Sequence, residues 1–98
     1  MLKEQIVSDI LGHVNKNGGD CGAWYAGIAN DARRRLFEEH NVDKNGGPWI
    51  YRRAVDIDNS REAERELLER YGFDGGAGGG DDDSIFVYAY KKNAKTNP

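Results

Sequence analysis

The segment from Ser84 to Lys92 constrains the fold of this chain more than any other. Ile85, Val87 and Ala89 alternate there with Phe86, Tyr88 and Tyr90. Successive side chains of a strand point to opposite faces, so both faces of this strand are apolar. A strand apolar on both sides needs cover on both sides, which marks it as a central strand of a sheet. Two other runs supply strands beside it. Ala23 to Ile28 is small and apolar around Trp24 and Tyr25, and Trp49 to Val55 is rich in aromatic and branched residues.

The intervening segments read as helices. Leu2, Ile6, Val7, Ile10, Leu11 and Val14 recur at helical spacing, giving an amphipathic helix over 2–14 that covers part of the sheet as an N-terminal addition. His13 lies near its end, where a cation favours the helix dipole. Asn15 to Gly22, with three glycines and two asparagines, is a loop. Asn30 and Asp31 can cap a second helix over 31–40, in which Ala32, Leu36 and His40 fall within an arc of about 80° at 100° per residue. Arg34 points away from that stripe, with Glu38 as an ion-pair partner, and Arg35 lies at its edge. Asn45 to Pro48 is a turn. Asn59-Ser-Arg-Glu62 has capping-box spacing and opens a third helix, closed by Gly72, with Ala63, Leu67, Leu68 and Tyr71 as its apolar face.

At 98 residues the chain is one domain built on one core. Hydrophobic residues make up 38% and include ten aromatics, enough to exclude general disorder. The single Cys21 excludes an internal disulfide, fits a reducing compartment and reads as an inert thiol. No apolar run reaches membrane-spanning length and the N-terminus does not resemble a signal peptide, so the expectation is a cytoplasmic protein. The net charge of −3 argues against nucleic-acid binding by bulk charge, but Arg33, Arg34, Arg35, Arg52, Arg53, Lys91, Lys92 and Lys95 hold more than half the cations, which permits a basic face.

Several residues carry chemistry. A tyrosine at a strand end followed by helix arginines is usable for gripping phosphate, because guanidinium forks match phosphate oxygens. His40 faces inward, either as a satisfied buried histidine or as a catalytic one. Glu64 falls angularly between Leu67 and Leu68, whereas Glu62, Glu66 and Glu69 lie on the opposite, solvated face. Burying a carboxylate without a cation or donor costs several kcal/mol, so Glu64 needs a partner, and an ion pair to an arginine would supply one. Residues 74–83 form a Gly/Asp loop that lacks the endings of a phosphate-binding loop or an EF-hand and reads as a flexible connection.

Tyr25-Ala26-Gly27, the loop Ile28 to Asp31, Arg35 and His40 together resemble the second half of the GIY-YIG nuclease signature. Phe86-Val87-Tyr88 and the lysine-containing stretch to Asn93 are similar to that family's first strand, moved here to the end of the chain. Glu64-Arg-Glu-Leu67-Leu68 has the form of the family's metal-binding glutamate. The resemblance implies a single α+β domain over 1–98, ordered helix, strand, helix, strand, helix, strand. Its small three-stranded antiparallel sheet, with the last strand between the other two, is flanked by the three helices. It also implies a metal-dependent endonuclease in which Tyr25 and Tyr88 flank an attacking water, Arg35 steadies phosphate charge, His40 assists proton transfer and Glu64 holds Mg²⁺ or Mn²⁺. Nucleic acid, DNA in preference to RNA, is the implied partner. The alternative is an inactive module of the same shape that binds nucleic acid or a protein.

Overall fold

The computed structural model describes residues 1–76 and 83–98. Its elements are α1 (Lys3–Lys16), β1 (Trp24–Ala29), α2 (Ala32–Arg34, continued by a π turn over Arg35–Glu39), β2 (Trp49–Arg53), α3 (Ile57–Glu69) and β3 (Phe86–Lys91). The sheet order is β1-β3-β2 and both pairings are antiparallel. The C-terminal strand is therefore central, as its two apolar faces require.

Each face of the sheet builds its own cluster. Trp24, Ala26, Ile28, Ile50, Val87 and Ala89 pack against α1 and α3, which contribute Ile6, Ile10, Val14, Ala63 and Leu67. On the other face Tyr88 and Tyr90 meet Ala32 and Leu36 of α2, with Tyr25, Trp49, Tyr51 and Phe86 around them. Register aligns this second face into rows across the three strands: Tyr25, Tyr90 and Trp49, then Gly27, Tyr88 and Tyr51, then Ala29, Phe86 and Arg53. The outer edge of β1 is occupied by Asp74, which pairs with it in parallel through Ala26 N to Asp74 O (2.9 Å) and Asp74 N to Trp24 O (2.8 Å). Asp74 is thus anchored to the sheet rather than being part of a free loop; the flexible tract expected around it falls mainly on residues 77–82, outside the described residues.

Several local expectations are corrected. The third helix opens at Ile57, not Asn59, because Asp56 caps it with Oδ1 accepting from Asn59 N at 2.8 Å. Asn59 instead accepts from Lys3 N at 2.8 Å and so ties the start of α1 to α3. β2 ends at Arg53, and Val55 is exposed. Arg34 lies 3.8 Å from Glu39 rather than pairing with Glu38, because the π turn rotates the following residues. His13 is not the helix-end cation that its position suggested. Burial, with Arg52 and Lys16 nearby, lowers its pKa, its ring meets Trp24 edge-on at 5.7 Å, and its buried Nε2 has no hydrogen-bond partner among the described residues. No helix among the described residues is long and apolar enough to cross a membrane.

Candidate active site

The face of the sheet under α2 gathers tyrosines because period-two alternation brings Tyr88 and Tyr90 of β3 to the same side as Tyr25 of β1. His40 joins them from the end of α2, and a regular α-helix would not put it there in the same relation to Arg35. Residues five apart in an α-helix are separated by roughly 140° around the axis, at about 3.6 residues per turn. Here His40 N donates to Arg35 O at 2.8 Å, a π turn that absorbs one extra residue and keeps Arg35 and His40 on neighbouring faces. Asn41 then adopts a left-handed conformation (φ 56°), and Val42 N donates to Leu36 O at 2.9 Å, which closes the helix.

His40 is 6% exposed and both ring nitrogens are engaged. Nδ1 lies 2.6 Å from the carbonyl oxygen of Asn97, and a carbonyl can only accept, so Nδ1 carries a proton. In the neutral ring Nε2 is then a bare acceptor, and the Tyr88 hydroxyl at 2.7 Å donates to it. The Tyr90 hydroxyl approaches Nδ1 at 3.1 Å. Asn97 is held in place by its own N–H, which donates to His40 O at 2.8 Å, and Asn41 Nδ2 fixes the same tail through Lys95 O. The C-terminal tail therefore sets which nitrogen of His40 is free.

Tyr25 completes the cluster by ring contact. Its ring is 4.7 Å from that of His40 and stacks on Tyr90 at 5.3 Å. Gly27 makes room for the whole arrangement: a methyl group there would lie 2.5 Å from Tyr88 Oη and 2.7 Å from Cζ. The glycine is needed because Tyr88 lies across it, its hydroxyl turned toward His40.

The environment keeps these groups neutral. Burial lowers the pKa of His40, and the nearby Arg35 charge lowers it further against the opposing pull of the Asn97 carbonyl. Burial likewise pushes the phenols of Tyr88, Tyr90 and Tyr25 up, with Tyr25 adding to the effect at the other two. Arg35 acts in the opposite sense on Tyr25 and Tyr88, favouring their ionised forms. Its side chain is 38% exposed and 3.7 Å from Glu39. Arg33, by contrast, sits over Phe37.

Glu64 belongs to α3, on the other side of the sheet, and is 3% exposed. Its charge raises the pKa of both Tyr25 and Tyr88, after burial and other neighbours. Among the described residues no three His, Cys, Asp or Glu side chains group as a metal site. A lone hard carboxylate suits Mg²⁺ or Mn²⁺ in donor type, but Glu64 at 3% exposure leaves no open surface for the water and phosphate that would complete the shell, so the residues present do not fit such an ion.

The cluster thus brings together Tyr25, Tyr88 and His40, with Arg35 acting on all three and Glu64 acting on the tyrosines from the opposite layer. Tyr90, Gly27 and the Asn97 carbonyl are further members. Period-two spacing from Tyr88 pointed to Tyr90, whereas a backbone carbonyl in the tail carries no side-chain signal. Compared with known proteins, the chain matches no family model, no curated protein and no solved structure.

Proposed function

We propose that this chain is a small phosphodiester hydrolase of GIY-YIG type, circularly permuted, acting on nucleic acid. The observation that supports it most is the 2.7 Å hydrogen bond from Tyr88 to a neutral His40 whose other nitrogen is tied to Asn97. A phenol with a raised pKa is a poor base by itself, but one that can hand its proton to an imidazole is a competent relay. In the step inferred here, a water proton passes to Tyr88 Oη as the phenol proton moves to His40 Nε2. The water oxygen forms the new bond to phosphorus, the bond to the leaving oxygen breaks, and that oxygen takes its proton from solvent. The imidazolium so formed donates a charge-assisted hydrogen bond to Asn97 O, which is roughly twice as strong as a neutral one. Arg35, partly exposed beside the cluster, offers a guanidinium for the phosphate oxygens.

Hydrolysis of supercoiled plasmid and of a labelled oligonucleotide in Mg²⁺ or Mn²⁺ tests the reading. Cleavage should fall by about 10²-fold or more in Tyr88→Phe, the lower end of what positioned proton transfer contributes. Because burial lowers the pKa of His40 from 6.5, activity should hold down to that pH and decline only at greater acidity, as His40 protonates. Wild-type protein that cleaves nothing under these conditions removes the proposal.

A second reading is favoured by burial, since Tyr88 is 2% and His40 6% exposed. In it the cluster is the polar core of a non-catalytic module that binds nucleic acid or a protein. Inert wild-type protein that loses stability in Tyr88→Phe would fit that reading.

A further inference from the structure

The rows of the tyrosine face continue onto β2, the edge strand away from β1, which α2 reaches through Phe37. Trp49 and Tyr51 stand there with ring planes 9° apart and centroids 6.1 Å apart. Phe37 meets Trp49 edge-on at 5.0 Å, and Phe86 meets Tyr51 edge-on at 6.1 Å. All four rings are half-buried. The indole N–H of Trp49 is already spent on Lys44 O at 3.0 Å, so what Trp49 has left to offer is ring surface beyond the part that Tyr51 and Phe37 touch.

Cations border these rings. Arg33 and Lys44 lie over Phe37 at 5.4 and 5.0 Å, and Arg53, exposed, follows Tyr51 on the same face of β2. Among the described residues these three form no ion pair, whereas the nearby Arg34, Arg35 and Arg52 are each within reach of a carboxylate. The two aspartates of this region are used locally: Asp31 accepts from Arg34 N and Asp43 from Asn45 N.

We infer that the Trp49–Tyr51 surface, flanked by Arg33, Lys44 and Arg53, is a platform for single-stranded nucleic acid. Nearly parallel rings along a strand match the flat faces of unpaired bases, and the cations, held in no ion pair among the described residues, match the phosphates that run beside them. A duplex buries those base faces in its own stack and has nothing to place on the rings. As a statement about substrate this deepens the hydrolase proposal and rests on it, whereas the binding itself does not depend on catalysis.

Titration of a fluorescein-labelled single-stranded oligothymidylate, followed by anisotropy in EDTA and at fixed salt, tests the platform apart from any cleavage. A hairpin duplex of equal nucleotide count and a matched single-stranded RNA serve as comparison probes. The single strands should bind more tightly than the duplex and quench Trp49 fluorescence, with Trp24, fully buried, contributing little to the change. Trp49→Ala should weaken binding about tenfold, within the range that base stacking contributes. The exposed double variant Lys44→Gln/Arg53→Gln replaces no buried side chain and should lower the steepness of the salt dependence by about 1.4, from roughly 0.7 per lost phosphate contact. Absence of binding, preference for the duplex, or unchanged binding in both variants overturns the inference. Because no divalent ion is present, binding without later cleavage retains the platform and removes the hydrolase, while cleavage without single-strand binding does the reverse.

Discussion

Replacing Gly27 by alanine separates two lines of reasoning by sign. Intrinsic preference says the change helps, since glycine inside a strand costs roughly 0.5–1 kcal/mol relative to alanine. The packing says the opposite. The new methyl would lie 2.5 Å from Tyr88 Oη, 2.7 Å from Cζ and 3.1 Å from Cε1, about 1 Å inside ordinary contact. Tyr88 cannot swing aside as a surface side chain would, because it is 2% exposed, bonded to His40 and stacked near Tyr25. Overpacking of this kind costs about 1–3 kcal/mol, and a displaced hydroxyl adds the penalty of a buried unsatisfied nitrogen on His40, about 1–3 kcal/mol. Even after the propensity gain, a net destabilisation of about 1–5 kcal/mol is expected, with about 3 kcal/mol at its middle. For a domain of this size the middle value lowers Tm by about 12–24 °C. Urea denaturation gives the free energy directly, and in a Tyr88→Leu background the same substitution should cost much less. A neutral or stabilising Gly27→Ala in the otherwise native chain would refute the account of why that glycine is there.

Two further outcomes are expected. Burial lowers the pKa of both His40 and His13 from 6.5, so below that pH the unfolded chain takes up protons that the folded chain refuses. Stability should therefore be full above pH 6.5 and fall as the pH drops toward the folded-state values, by at most about 1.4 kcal/mol per pH unit from His40 and less from the more exposed His13. Denaturation midpoints between pH 5 and 7.5 that stay flat, or rise with acidity, would contradict this. Leu67→Ala, at a fully buried position of α3, should cost about 2–5 kcal/mol, whereas Val55→Ala, 62% exposed, should stay within about 0.5 kcal/mol of wild type; equal costs would mean that the core is misplaced.

The fold was legible where a residue's neighbours in sequence determine its surroundings. Alternation in Ser84 to Lys92 announced a central strand because the period of a strand is fixed by its backbone. The helical stripe of α1 was legible for the same reason, to within the one or two residues by which helix ends vary. Asn59 misled because Asp56, three residues earlier, offers an equally good cap, and only the docking of α1 decides which one caps and which one binds Lys3. The site was legible in part. Tyr25 and Tyr88 could be named through the family resemblance and His40 from its inward face as well, but the π turn that orients His40 leaves no mark in a 100° projection. The Asn97 carbonyl is backbone, and any residue supplies one. Gly27 looked like a motif letter until the ring across from it gave it a physical reason. The pairing of Asp74 with β1 is a parallel bridge of two hydrogen bonds, too short to show as a pattern.

The proton inventory of His40 bears most directly on the relay, since the relay exists only if the ring is neutral and its free nitrogen faces Tyr88. Long-range ¹H–¹⁵N correlation of the imidazole at pH 7.5 reads both nitrogens separately. The account expects a protonated Nδ1, held by Asn97 O at 2.6 Å, and an unprotonated Nε2 accepting from Tyr88 at 2.7 Å. A protonated Nε2 at that pH, whether in the other tautomer or in a doubly protonated ring, would contradict it.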